Sequence, residues 1–167
     1  PAGSGAADAG VFPQPIAFNA IPEIGTPLAD GFFEEEVKVR RELRKILGEP
    51  ELAVTCTATR VAVRTGHSAA VRAVLGRTVD PAEAAAVLAD WPGLEATADP
   101  HRYLTPRQIA GRTAVHVGRL RADPDRGDTL LFWVVADNLL KGAAWNAVQI
   151  ADLLVDGPGS VKTGRTP

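Results

Sequence analysis

Apolar and polar positions along this chain follow two different rhythms. Between about Phe33 and Leu47, the residues Val39, Leu43, Ile46 and Leu47 recur at helical spacing, which predicts a helix. Glu34, Glu35 and Glu36 sit in its first turn and Arg44 and Lys45 in its last, the polarity a helix dipole favours. Gly48 and Pro50 then stop it. A compact second helix is predicted from "DPAEAAAVLADWPG": Asp80 can cap it, Pro81 suits its first turn, and Pro92 and Gly93 end it. The last is "NLLKGAAWNAVQIADLL", where Leu140, Ala144, Ala147, Ala151 and Leu154 keep one apolar face. Asp137 or Asn138 can cap its start.

The other rhythm has a period of two. "ELAVTCTATRVAV" is rich in Val and Thr and reads as a strand, and "HSAAVRAVLGRTV" alternates loosely as a second. "TAVHVGRLRAD" alternates as a third. "TLLFWVVAD" is a nearly continuous apolar run, the pattern of a strand buried on both faces. "RTG" and "PDRGD" punctuate these strands, and "PHRYLTPRQIAG" reads as loop. Prolines at 13, 15, 22 and 27 argue for extended and turn structure ahead of the first helix. Strands alternating with helices, several in hairpin-like order, predict an α+β fold with a mixed sheet. Residues 1–10 read as a linker or remnant, 11–155 as one domain, and 156–167 as a flexible tail.

A chain of 167 residues fits this single domain, and with 46% hydrophobic and 23% charged residues it can bury a core. Eighteen basic and twenty acidic residues give a formal charge of -2, so there is no electrostatic case for nucleic acid or an anionic membrane. No apolar run is long enough to span a bilayer. Cys56 is the only cysteine, which rules out an intrachain disulfide and fits a cytoplasmic setting. The chain starts at Pro1 and contains no methionine; the expectation is a C-terminal piece of a longer protein.

Candidate chemistry concentrates in "TRVAVRTGHSAAV". His67 follows Gly66 at a strand edge, where an imidazole is either a structural hydrogen-bonding group or a general acid and base near neutral pH. Arg60, in a run of Val, Thr and Ala, is either a solvent-facing strand residue or a bidentate clamp for a carboxylate. Seven positions apart in a straight strand, the two side chains would point to opposite faces, so they converge on one cleft only if "RTG" bends the chain. Glu35 and Lys38 share a helix face as an i,i+3 pair, which alone reads as an ordinary exposed ion pair. His101 and His116 have no ligand spacing that would suggest zinc. Cys56 stands mid-strand with no base beside it, as a small core residue does.

Five segments taken in order carry a resemblance. "PIAFNAIPEIG", "EEEVKVRRELRKILGEPEL", "TRVAVRTGHSAAV", "GRLRADP" and "WVVADNLLKGAAWNAVQIADLL" each resemble a stretch of the C-terminal domain of the aspartate-semialdehyde dehydrogenase family, from about Phe12 to Leu154. The resemblance implies a mixed, largely antiparallel sheet with helices packed on one face, like the C-terminal domain of glyceraldehyde-3-phosphate-dehydrogenase-type enzymes. It implies NADPH-dependent reductive dephosphorylation of aspartyl phosphate to aspartate semialdehyde and phosphate through a cysteine thioester, in amino-acid biosynthesis. Homodimers formed through the sheet of this domain, without nucleic acid or membrane, are implied too.

By resemblance, His67 matches the acid/base histidine and Arg60 the clamp on the substrate carboxylate. Glu35 matches a glutamate associated with the substrate amino group, and Lys38 a lysine that contacts phosphate. Asn138 matches a polar residue near NADP, and Ser4 and Gly5 the end of a Ser-Gly loop that touches it. The family's cofactor domain, its nucleophilic cysteine in an Asn-Cys-Thr or Asn-Cys-Ser context, and its substrate-binding glutamine have no counterpart in this sequence. Ala62 replaces a proline common at its position, and the stretch before "FPQPIAFN" is shorter than usual. The alternatives are a non-catalytic dimerisation or binding paralogue of that family, or an N-acetyl-glutamyl-phosphate reductase, whose helices fit less well.

Overall fold

A computed structural model describes residues 10–157. The chain divides between Ala62 and Val63 into two compact units.

In the first unit, the proline-rich start runs through turns to β1 (Ala20–Ile21), which pairs antiparallel with β2 (Arg60–Val61). Ile21 is buried there. Between them lies α1 (Glu34–Leu47), close to the predicted helix. Its entry is fixed by Glu36, whose Oε2 accepts the Phe33 N–H at 2.9 Å. This is the glutamate half of a capping box, satisfying a backbone donor that the helix leaves orphaned. Gly48 ends the helix in the left-handed conformation, φ 69°, where glycine meets no Cβ penalty.

The segment 51–59 departs from expectation. It is extended, and Leu52, Val54, Cys56 and Ala58 are half-buried while their neighbours are exposed, so the period of two is real. Only Arg60 and Val61, however, join a ladder. The partners of this segment are groups of α1 rather than a neighbouring strand. Arg44 Nε donates to the Leu52 carbonyl at 2.8 Å, and the Ala58 N–H donates to Glu36 Oε1 at 2.9 Å.

The second unit is built on a four-stranded sheet in the order β3-β6-β5-β4. Strands β3 (His67–Val74), β5 (Val115–Ala122) and β6 (Thr129–Ala136) are three of the four predicted ones. The short β4 (Leu94–Ala96) lies parallel to β5; the sequence rhythm did not announce it, because three residues are too few to show a period. The β3–β6 ladder runs unbroken from His67↔Ala136 to Val74↔Thr129. The β5–β6 ladder slips at a bulge between Gly118 and Arg121, and Arg119 takes a left-handed φ of 57° there. The mixed, largely antiparallel sheet is thus as expected.

Helix α2 (Pro81–Ala89) opens on Asp80, whose Oδ1 accepts the N–H groups of Ala82 and Glu83. It ends at Ala89, ahead of the proline and glycine expected to stop it. Its Ala84, Ala85 and Leu88 pack with Val117, Leu120, Leu130, Phe132 and Val134 to make the core. Phe132 and Val134 face this core, so Trp133, alternating with them, points to the other face. There its Nε1 donates to the Leu104 carbonyl at 2.8 Å. Gly118 lets the chain cross at that point: a Cβ on it would stand 3.0 Å from the Arg102 carbonyl oxygen and 3.1 Å from Tyr103 Cβ. The supposed loop around Pro106 contains one short helix, α3 (Pro106–Ile109), started by Thr105 and Gln108. After β6 the chain makes a π-helical turn (Leu140–Ala144) and continues as α4 (Trp145–Asp156).

Candidate functional site

The candidate residues fall into two groups, one in each unit. In the first, three consecutive glutamates at the start of α1 meet three different fates. Glu34 Oε2 accepts the Thr26 N–H at 2.9 Å, which lowers the pKa of Glu34. Glu36 turns inward, 7% exposed, and takes two backbone donors. Glu35 faces outward and holds Lys38 through both carboxylate oxygens, at 3.0 and 3.1 Å. That pairing raises the pKa of Lys38, first through the hydrogen bond and then through the charge of Glu35. Both side chains are open to solvent, so the pair can exchange partners at small cost.

Arg60, also exposed, stacks its guanidinium over the Phe12 ring, 5.4 Å from the centroid, and enters none of the ion pairs among the described residues. Cys56 is half-buried, with its Sγ 3.9 Å from the Glu36 carbonyl oxygen. Burial pushes its thiol pKa up, and the carboxylates of Glu36 and Glu35 add to that. A thiol so placed carries little thiolate at neutral pH, which fits a packing role and not a nucleophile.

In the second unit His67 opens β3, exposed to solvent. The predicted bend before it is present: Gly66 has φ 101°, a conformation side chains other than glycine's rarely adopt. The Gly66 N–H donates to Asn138 Oδ1 at 2.8 Å. Gly66 also lies against Ile109, fully buried, whose Cγ2 would be 3.1 Å from a Cβ added at Gly66. The structure therefore brings Asn138 onto Gly66, 72 positions away in the sequence and directly before His67.

Asp137, a cap by its place before the last helix, does more than cap. It is 3% exposed; Oδ1 accepts the N–H groups of Leu139 and Leu140 at 2.8 and 3.2 Å, and Oδ2 accepts that of Gly111 at 2.8 Å. Burial works to raise its pKa, but the three N–H donors outweigh it and hold the carboxyl below the usual range. His116 is likewise buried, 8% exposed, and its Nδ1 has no hydrogen-bond partner. Burial lowers its pKa; Glu95, facing it across the β4–β5 ladder, opposes this, while Arg112 and Arg102 reinforce it. No sequence spacing marks Glu36, Asp137 or His116 as buried, because each depends on an element distant in the chain. Among the described residues no three His, Cys, Asp or Glu side chains are grouped as metal ligands. Ser4 and Gly5 lie outside the described residues.

Residues 2–141 match the family model described as "Semialdehyde dehydrogenase, dimerisation domain". The chain is 43% identical over 146 residues to the aspartate-semialdehyde dehydrogenase of Aquifex aeolicus, covering 86% of this chain and 43% of the relative. It is 45% identical over 147 residues to that of Streptomyces akiyoshiensis, covering 87% and 42%. Among solved structures, aspartate semialdehyde dehydrogenase II of Vibrio cholerae, complexed with ASA, superposes with a TM-score of 0.82 at 39% identity, over 87% of this chain and 43% of that one. A probable aspartate-semialdehyde dehydrogenase from Pseudomonas aeruginosa gives 0.79 at 32% identity, over 86% and 43%. The chain thus spans less than half the length of these relatives.

Proposed function

Because the chain belongs to the semialdehyde dehydrogenase family and corresponds to its dimerisation domain, we propose that it serves an NADP-dependent aspartate-semialdehyde dehydrogenase. The reaction is the reductive dephosphorylation of aspartyl phosphate, and its product feeds amino-acid biosynthesis in the cytoplasm. The observation that carries the reading is His67: an exposed imidazole directly after a glycine whose N–H Asn138 holds, in a chain 43% identical to such an enzyme over 146 residues.

Each residue has a role that suits its surroundings. His67 takes the proton of the attacking thiol and returns protons later, which an imidazole does well near neutral pH. The thiol itself comes from outside this chain, since burial and two carboxylates keep Cys56 protonated. Arg60 clamps the substrate carboxylate with a guanidinium that no carboxylate of the described residues neutralises. Lys38 meets the phosphate and Glu35 the amino group, each releasing the other as the substrate arrives. When bound, the nicotinamide cofactor supplies a hydride. Asn138 suits contact with it, because Oδ1 is engaged by Gly66 and Nδ2 remains as a donor. Ser4 and Gly5 are assigned to the same cofactor by resemblance alone. Two copies pair through this domain.

The test is the whole gene product, assayed with aspartate semialdehyde, phosphate and NADP by the appearance of reduced cofactor. His67→Ala is expected to cut kcat by about 10²–10⁴-fold. Arg60→Ala should act mainly through substrate use, by roughly 2–5 kcal/mol in kcat/KM. Wild-type kinetics in both variants would overturn the assigned roles. An inactive gene product that still dimerises in light scattering would favour a binding paralogue, and a monomer at high concentration would remove the dimer.

A further inference from the structure

The β3–β6 ladder ends at the pair His67↔Ala136. One step beyond, the Gly66 N–H needs an acceptor, and β6 has already turned away into the π-helical turn. Asn138 fills the gap: its Oδ1 accepts the Gly66 N–H at 2.8 Å. Because the donor is a backbone N–H, only the oxygen of the amide can face it, so the orientation of the side chain is fixed by chemistry.

Asn138 is itself held. Asp137, beside it, binds the N–H groups of Leu139 and Leu140 and so sets the first turn after β6. Its second oxygen binds the Gly111 N–H, tying the end of α3 to the same point. Helix α3 carries Ile109, whose Cγ2 would stand 3.1 Å from a Cβ added at Gly66. A side chain at Gly66 would be strained, since its φ is 101° and its Cβ would stand that close to Ile109. Three segments, 63–67, 106–111 and 137–140, thereby meet around Gly66, the residue that precedes His67.

A strand-end histidine exposed to solvent would ordinarily share the mobility of the frayed end. We propose that Asn138 is a positioning residue for His67: its side-chain oxygen anchors the N–H of Gly66, and through the Gly66 backbone that leads into β3 it sets where the imidazole stands. The proposal rests on the reading of His67 as acid and base. It divides the Asn138 amide in two, with the oxygen turned inward to position His67 and the nitrogen left outward to donate to the cofactor.

Two measurements separate these roles. In the 167-residue chain, amide hydrogen exchange at Gly66 and the NMR signals of the His67 ring are compared for wild type, Asn138→Ala and Asn138→Asp. Alanine removes the acceptor and should speed Gly66 exchange by about 10-fold, the factor that matches a lost hydrogen bond. Aspartate keeps an acceptor and should preserve both the protection and the His67 signals. Where Asn138→Ala fails to fold, Asn138→Ser, too short to reach Gly66, takes its place.

In the whole gene product, Asn138→Ala should lower kcat while the KM for aspartyl phosphate stays within about two-fold, the pattern of an interaction that serves the transition state. Asn138→Asp should recover kcat but raise the KM for the nicotinamide cofactor. Equal Gly66 exchange in all variants, or no recovery of kcat by aspartate in an active enzyme, would overturn the positioning role. An inactive wild type would instead overturn the proposed function, and the exchange data would still decide whether Asn138 anchors His67.

Discussion

The first turn of α1 and the start of β3 present candidate groups in opposite ways. Among the described residues Lys38 is held chiefly by its neighbour Glu35, in an ion pair open to solvent, with the charge of Glu42 adding to it. His67 is held by its own main chain, which Asn138 and Ile109 grip at Gly66. Charged clamps that must let go of one partner and take another suit the first arrangement. A proton-transfer group whose placement controls the reaction suits the second, because misplacement by about 1 Å can cost on the order of 10²-fold in rate. Under the proposed roles, the exchangeable contact sits where binding needs it and the held backbone where chemistry does.

The sharpest way to break the rigid side is Asp137→Ala. Three backbone N–H groups would lose one buried acceptor. Buried donors left unsatisfied are expensive, so unfolding in urea should show a loss of about 2–4 kcal/mol. Acid gives the same answer without mutation. The folded-state pKa of Asp137 is depressed, so its contribution is in place above the ordinary value of 3.8 and is lost as the pH falls through the folded value. The wild type should lose stability steeply there, and Asp137→Asn less so. A urea midpoint for Asp137→Ala equal to that of wild type would show that the anchor is not held from this side.

A smaller effect separates the two histidines of the second unit's sheet. His67 is exposed, whereas His116 is buried with an unpartnered Nδ1. Burial lowers the folded pKa of His116 below its ordinary value of 6.5. The unfolded chain then binds the proton more readily, so stability falls as the pH drops below about 6.5, the reverse of a histidine stabilised by a carboxylate. Thermal unfolding at pH 7.5 and 5.5 should show this fall, and His116→Gln, which does not titrate, should flatten it. Parallel pH dependence in the two proteins would exclude His116 as its source.

How much of this was legible in the sequence follows from the range of the interactions. Helix α1, with its acidic start, basic end and Gly48, is local, and its letters suffice. So are β5 and β6, whose periods span eight residues each. The period of 51–59 was equally plain, but a period of two says that one face is buried and not what buries it; here α1 does. The family could be read because five short strings kept their order. The roles of Asp137 and Asn138 could not, because they exist only once Gly111 and Gly66, 26 and 72 residues away, have folded against them.

The smallest expected effect is on the mobile side. In Lys38→Ala an exposed i,i+3 pair is lost, and Glu35 remains in water with no donor to replace. The melting temperature should not change measurably, and raising the salt concentration should change it no further, because such pairs are already screened. In the whole gene product the same variant should weaken the apparent affinity for phosphate and spare that for the nicotinamide cofactor. Stability and substrate use would then part company at Lys38, whereas Asp137→Ala should lower stability itself. A Lys38→Ala protein that melts early, with its phosphate KM unchanged, would make the ion pair a structural element and remove the contrast between the two groups.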